Sequence, residues 1–175
     1  MGWKNVKEHY RIKHIVQVRP EKGICIGSPY VSELIVVDLD GRITKRYEKR
    51  PVNADLHRYQ QEMNGDPDKL RMLIQTPDSF SKSIPVYTFD GAQILEKYCE
   101  ELGWPNITHD GELMYDNTFF ENRADAIQKA VSENMSWSKA LDLSIAEAEK
   151  RLEELRAERE RQETDQATLE AMLNE

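Results

Sequence analysis

The last 64 residues of this chain contain neither glycine nor proline. Gly111 is the final glycine and Pro105 the final proline, whereas the preceding part has turn-forming residues every few positions. Because glycine and proline interrupt helices most strongly, a long stretch without them favours one extended helix. The sequence therefore predicts two parts, a head over residues 1–120 and a helical tail over residues 121–175.

The hydropathy of the chain excludes a membrane-spanning segment. The 175 residues have a mean hydropathy of −0.73, which suits one globular domain with an extension. No apolar run approaches the length of a membrane span, and the first residues lack the apolar core of a secretory signal. Cys25 and Cys99 lie far apart among apolar residues, which favours two buried free thiols in a reducing compartment. We therefore expect a cytoplasmic protein.

Charge is distributed unevenly along the chain. Residues 1–50 carry a net charge of +5, residues 51–137 carry −8, and residues 138–175 carry −5. A basic segment beside an acidic body is typical of an anion-binding surface, or of two faces that attract each other between subunits. Ordinary solvation of charged side chains is the simpler interpretation.

Short β-branched segments alternate with turn signals in the first half of the head. This pattern predicts strands over residues 11–18, 24–26, 34–37 and 42–47, with the third strand central. Asp40-Gly41, between the last two segments, is a strong hairpin signal. We therefore expect an antiparallel β-meander of about four strands.

Three short helices are predicted after the meander. The first covers residues 54–63, capped by Asn53 or Asp55, and the second begins at Pro67 with Asp66 as its N-cap. A third is expected over residues 92–102, with Asp90 as its cap and Gly103 at its end. With extended segments at residues 84–89 and 113–115, the predicted fold class is α+β, a β-meander head followed by a long C-terminal helix that forms a coiled coil.

Alternating steps of four and three residues along the tail select a mostly apolar stripe, which is the pattern of a coiled-coil seam. Five members of the stripe are polar: Asn134, Ser138, Arg159, Gln162 and Gln166. The apolar members are the candidate oligomerisation residues: Ile127, Val131, Leu141, Ile145, Ala148, Leu152, Leu155, Leu169 and Leu173.

A long amphipathic helix needs a cover for its stripe, because helix propensity alone stabilises it little. Three covers are considered: a second copy of the chain, the chain's own head, or another protein. We favour the second copy and expect a dimer. Residues 134–138 are the weakest stretch, where a kink or a new N-cap at Ser136 or Ser138 is expected. The polar residues after Leu155 either select the register of the coil or mark its end.

A second group of residues predicts a binding surface on the head. Basic side chains beside an exposed aromatic ring are enriched at binding surfaces, and they also suit phosphate groups. Nucleic-acid binding through the basic segment 1–50 is therefore an alternative, although the acidic remainder of the chain disfavours it. The candidate binding residues are Trp3, Lys4, Lys7, Arg11, Lys45, Arg46, Tyr47, Lys49 and Arg50.

Residues 34–41, with the sequence LIVVDLDG, resemble the first motif of haloacid-dehalogenase-type phosphotransferases. The resemblance implies that Asp38 is a nucleophile and Asp40 a general acid/base, with both helping to hold Mg²⁺. The chain has Arg42 after the glycine and returns at once as a strand, which a doubly wound parallel sheet would not do. We therefore favour a hairpin turn, with a small phosphate-handling enzyme as an alternative.

The histidines and cysteines have no metal-ligand spacing. His9 and His14 are five residues apart, which suits neither one face of a strand nor one face of a helix. The glycines around Ile24 lack the spacing of a phosphate-binding loop. We therefore expect no metal and no cofactor.

Three phrases of the head, GWKNVKEHY (residues 2–10), SIPVYTFDG (83–91) and GWPN (103–106), resemble segments of uncharacterised small proteins encoded by bacteriophages and prophages. The resemblance covers roughly residues 2–120. It implies an accessory role during infection or lysogeny inside a bacterial cell, with a host or phage macromolecule as partner. The sequence thus predicts a non-catalytic interaction protein.

Overall fold

A computed structural model describes residues 1–48 and 53–174 of the chain. The chain divides into two compact units, Met1–Ile127 and Gln128–Glu175. The elements of the described residues are, in chain order, α1 (Trp3–His9), β1 (Ile15–Arg19), β2 (Gly23–Gly27), β3 (Ile35–Val37), β4 (Ile43–Lys45), α2 (Ala54–Gly65), α3 (Pro67–Gln75), β5 (Ile84–Asp90), β6 (Gln93–Cys99), β7 (Asn106–Ile107), β8 (Leu113–Met114) and α4 (Arg123–Leu173).

Strands β1 to β4 form the predicted antiparallel meander. Their spatial order follows the chain, with β2 and β3 inside the sheet. Every residue of β2 and β3 is buried, which explains why these strands are continuously apolar instead of alternating. The α+β fold class and the central position of β3 are confirmed.

The two predicted helices after the meander are present with their expected caps. The side chain of Asn53 accepts a hydrogen bond from the backbone of Leu56, and that of Asp66 accepts one from Lys69, three residues into each helix. Pro67 occupies the first turn of α3. The N-terminal ends of α2 and α3 were predictable because each capping residue directly precedes its helix in the sequence.

The helix predicted over residues 92–102 is wrong. Residues 93–99 form strand β6, which pairs with β5 from Ile84 opposite Cys99 to Asp90 opposite Gln93. The hairpin turns at Gly91, which has a φ of +57°. The spacing of Ile94, Leu95 and Tyr98 fits one face of a helix, but the pairing with β5 outweighs that local preference.

Helix α1 was not predicted. Its N-cap is Gly2, which has no side chain to accept a hydrogen bond, so the usual local signal is missing. Asp78, which follows α3, supplies the acceptor: its carboxylate oxygens lie 3.1 Å from the backbone nitrogen of Lys4 and 2.9 Å from that of Asn5. The head therefore has three short helices, as expected, but α1 replaces the helix assigned to residues 92–102.

Two apolar clusters form the core of the first unit. The larger joins α1, α2 and α3 to the buried face of the meander, with Val6, Tyr59 and Leu70 among its members. The smaller contains Val86, Cys99, Met114 and Phe119. Cys25 and Cys99 are both buried and free, as the sequence predicted.

Candidate functional site

Helix α4 exposes the apolar stripe along its length. The helix has 51 residues and is therefore about 77 Å long. The large side chains of the stripe are exposed, from 37% for Ile127 through 48% for Leu152 to 85% for Leu173. Many exposed apolar side chains on one face of a helix are typical of a protein-interaction surface.

The polar members of the stripe do not interrupt the helix. Asn134 Nδ2 donates to the carbonyl of Ala130 at 3.0 Å, and Ser136, a polar residue beside the stripe, donates through Oγ to the carbonyl of Ser132 at 2.9 Å. Each group finds an acceptor one turn back in its own helix, so neither has to leave the helical conformation. Because α4 is one helix from Arg123 to Leu173, the new N-cap expected at Ser136 or Ser138 is wrong, and a kink at residues 134–138 stays a prediction.

The first unit contains a cavity beside α1 that three of the predicted binding residues line. Its volume is about 430 Å³, and Trp3, Lys4 and Lys7 contribute to its wall. Phe80 and His109, which the sequence did not indicate, also line the cavity.

Trp3 is a structural anchor of this cavity. Its side chain is only 6% exposed, and its indole Nε1 donates to the carbonyl of His109 at 3.0 Å. The expectation that Trp3 is an exposed aromatic residue is therefore wrong. A seven-residue helix that packs into the core needs large apolar side chains, and Trp3 and Val6 supply them.

Lys4 is held by several acceptors. Its Nζ lies 2.7 Å from a carboxylate oxygen of Glu100, 2.9 Å from the carbonyl of Ser79 and 3.7 Å from the Glu8 carboxylate. The hydrogen bond from Lys4 lowers the pKa of Glu100, although desolvation opposes the shift. The Lys4 charge is thus largely neutralised within the cavity wall, whereas Lys7 forms no ion pair among the described residues.

Phe80 and His109 form a stacked pair in the cavity wall. Their ring centroids are 3.8 Å apart and the rings are inclined by 4°. Lys4 Nζ lies 5.1 Å from the centre of the Phe80 ring, within the range of a cation–π contact. His109 Nε2 is buried and has no hydrogen-bond partner in the described part of the chain. No sequence signal links residues 80 and 109, because the contact is long-range.

Arg11 lies at a different cavity. This space of about 360 Å³ is lined by Tyr10, Arg11, Arg58 and Glu62, among others. Arg58 donates to the Tyr10 carbonyl and pairs with Glu62 at 2.9 Å. Burial, with the nearby Asp66 and Glu62 carboxylates, raises the pKa of Tyr10. Arg11 has a φ of +49°, an uncommon backbone conformation for a residue with a side chain.

The predicted binding residues 45–47 lie on β4 and directly after it, where two of them bind α2. Arg46 Nη2 donates to Asn64 at 3.1 Å, and the Tyr47 backbone exchanges hydrogen bonds with Gln60. Lys45 is exposed on β4. Lys49 and Arg50 lie outside the described residues.

Asp38 and Asp40 lie in the turn between β3 and β4. Asp38 Oδ1 accepts hydrogen bonds from the backbone of Asp40 at 3.0 Å and of Arg42 at 2.8 Å. The carboxylate therefore closes the turn, as Asp side chains commonly do. Within the described residues, no group of three or more His, Cys, Asp or Glu residues is arranged to hold a metal ion.

Comparisons with protein-family models, curated proteins and solved structures find no match to this chain. None of the helices in the described residues is both long and apolar enough to span a membrane.

Proposed function

We propose that this protein is a non-catalytic interaction protein that associates with a second copy of itself through α4 and binds a macromolecular partner through its head. The observation that carries the proposal is the exposed stripe of α4, in which Leu141, Leu152 and Leu155 are each about half exposed.

The energetics of the stripe favour a partner. Burying one leucine or isoleucine side chain is worth about 1.5–3 kcal/mol relative to leaving it in water. The stripe has nine apolar members at coiled-coil spacing, so pairing with an equivalent helix removes a large apolar area from solvent. Association would also bring two heads into one particle, which raises avidity for a repeated partner.

For the head, we propose the surface around α1 as the contact region. Lys7 and Lys82 line the cavity there, beside the Phe80–His109 pair. The resemblance to bacteriophage and prophage proteins supports a host or phage macromolecule as the partner, with the protein acting as an accessory factor in a bacterial cytoplasm. A protein partner is preferred to nucleic acid, because Glu100 neutralises Lys4 and the whole chain has a net charge of −8.

We do not favour the phosphate-handling alternative. The backbone nitrogens of Asp40 and Arg42 both donate to Asp38 Oδ1, so this oxygen is committed to the turn. Replacing Asp38 is therefore expected to loosen the hairpin.

The test of self-association is the mass of the full chain in solution, measured by light scattering. Leu152→Glu places a charge in the stripe and should convert a dimer to a monomer, because the buried charge has no partner. The matched control is Leu143→Glu, since Leu143 is 73% exposed and lies outside the stripe.

The expected masses are twice the chain mass of 20.4 kDa for the wild type and for Leu143→Glu, and 20.4 kDa for Leu152→Glu. A wild-type chain that remains at monomer mass at high concentration contradicts the proposal. An equal loss of association in both variants would also contradict it, because it would mean that the stripe is not the contact.

A further inference from the structure

The charges beside the stripe contain information about the direction of pairing. In heptad notation the stripe consists of a and d positions, with Ile127 at d and Val131 at a. The residues that flank the stripe on its two sides are then the e and g positions, which set partner orientation in coiled coils. Arg151, Glu158 and Asp165 occupy g positions, and Arg156, Glu163 and Glu170 occupy e positions.

A parallel, in-register pair would place like charges together. In that arrangement each g residue lies beside the e residue five positions later on the other helix. The resulting contacts are Arg151 with Arg156, Glu158 with Glu163, and Asp165 with Glu170, and each occurs twice in a dimer. Arg159, a member of the stripe, would also face its own copy. All of these contacts are repulsive.

We propose that two copies of α4 pair antiparallel, with the twofold axis beside Lys150. The inference rests on the proposed self-association and adds its direction and register. In this register each stripe residue of one copy faces a stripe residue of the other, and each pairing forms two equivalent layers. Four pairings join two apolar residues, and two join two polar residues. The apolar layers are Ile127–Leu173, Val131–Leu169, Ile145–Leu155 and Ala148–Leu152, and the polar layers are Asn134–Gln166 and Ser138–Gln162.

One kind of layer is mixed, with Leu141 facing Arg159. The Arg159 side chain is 78% exposed and its Nε lies 3.1 Å from Glu163 on the same helix. The guanidinium therefore points to a solvent-exposed acid, and its aliphatic stem is available to cover Leu141.

The flanking charges also favour this arrangement. In an antiparallel pair, e residues face e residues and g residues face g residues. Asp142 of one copy then lies beside Arg156 of the other, and this attractive contact occurs twice. Near the axis, Glu149 of one copy lies beside Glu149 of the other, and Arg151 lies beside Arg151. Each of these contacts occurs once. Two like-charge contacts therefore remain, compared with six in the parallel pair.

Shifting the antiparallel register by one heptad in either direction loses the match of the layers. One shift places Val131 against Gln162 and Ser138 against Leu155. The other places Ile145 against Gln162 and Ala148 against Arg159. Of the three registers, only the one about Lys150 places polar residues opposite both Gln162 and Gln166.

Cross-linking of the full chain distinguishes the two directions. Val131→Cys and Leu169→Cys are prepared separately, and the wild type, in which Cys25 and Cys99 are buried, is the control for background disulfides. We expect a disulfide-linked dimer only when the two variants are mixed. Position 131 of one copy lies about 57 Å from position 131 of the other, too far for a disulfide within the dimer. Self-linked dimers of each variant alone would overturn the inference.

A charge variant gives opposite results for the two directions. Arg156→Asp should weaken association about tenfold in the antiparallel pair, because two attractive contacts with Asp142 become repulsive. In a parallel pair the same change places the new carboxylate beside Arg151 and should tighten association. The double variant Asp142→Arg/Arg156→Asp should restore wild-type affinity, and failure to restore it would count against the pairing.

The light-scattering mass separates failure of the inference from failure of the proposed function. A monomeric wild type would contradict both the proposed self-association and its direction. If the wild type is a dimer but each single-cysteine variant forms disulfide-linked dimers by itself, only the antiparallel arrangement is contradicted.

Discussion

At the scale of single residues, Glu100 shows how the cavity beside α1 is held together. Its carboxylate accepts from Lys4 Nζ, and from the backbone and hydroxyl of Ser81 at 2.6 and 3.0 Å. These bonds join the end of β6 to α1 and to the segment before β5. They favour the ionised carboxylate, which is why the pKa of Glu100 is lowered in the folded protein.

We predict that this residue contributes stability that depends on pH. Because its folded-state pKa lies below the ordinary value of 4.5, the contribution is complete above that pH and is lost as pH falls through the folded-state pKa. Glu100→Gln should therefore lower the free energy of unfolding by about 1 kcal/mol near neutral pH and by less in acid. Urea unfolding at several pH values measures this, with exposed Glu101→Gln as the control. A loss that is constant with pH would contradict the assignment.

Two other residues acquire their roles from distant parts of the chain. Trp3 was expected to be exposed because it stands beside lysines, but it is buried against residues more than 70 positions away. His109 lies in a loop of polar sequence, and its stacking on Phe80 could not be inferred. Burial of a single aromatic residue depends on what packs over it, which local sequence does not specify.

At the scale of elements, α1 depends on a cap from outside its own sequence. Asp78 accepts from the first backbone donors of the helix, and its carboxylate is close to the positive end of the helix dipole. Burial raises the pKa of Asp78, although the two backbone hydrogen bonds oppose the shift. A short helix with no local cap relies on such a contact.

Asp78→Ala should destabilise the first unit by about 1–2 kcal/mol, because two backbone donors lose their acceptor. Amide hydrogen exchange should accelerate most at Lys4 and Asn5. The control is Glu21→Ala, an exposed position in the β1–β2 turn that should change stability by less than about 0.5 kcal/mol. Uniform acceleration across the whole unit would argue against a capping role.

The hairpins illustrate which elements were predictable. Asp40-Gly41 identified the β3–β4 turn correctly because the turn chemistry agrees with the strand-like segments on both sides. Asp90-Gly91 has the same dipeptide, but the residues after it have the spacing of a helix face, which predicts a helix there. The distinction lies in the pairing of β6 with β5, and strand pairing is a property of two segments together.

At the scale of the whole molecule, the two units are predicted to unfold differently. The core of the first unit is built from residues within that unit, so its stability should not depend on protein concentration. In the proposed dimer, a second copy covers the stripe of α4, so the stability of this helix should increase with protein concentration.

About a hundredfold dilution should therefore lower the midpoint of the helical transition seen by circular dichroism while leaving the unfolding of the first unit unchanged. The two can be followed separately in a Trp104→Phe/Trp137→Phe variant, in which Trp3 fluorescence reports on the first unit. In Leu152→Glu the helical transition should occur at lower temperature and no longer depend on concentration. A concentration-independent helical transition in the wild type would contradict self-association.

The sequence by itself determined the elements whose signals are local: the helical tail with its stripe, the caps of α2 and α3, and the turns of the meander. These depend on residues within a few positions of one another, so propensity and periodicity were sufficient. Tertiary structure alone decided that residues 93–99 form a strand, that Gly2 begins a helix, and that Trp3 is buried beside His109. In each of these cases a distant segment supplies the hydrogen bond or the covering surface. The free energy of that contact outweighs the small conformational preference of the local sequence.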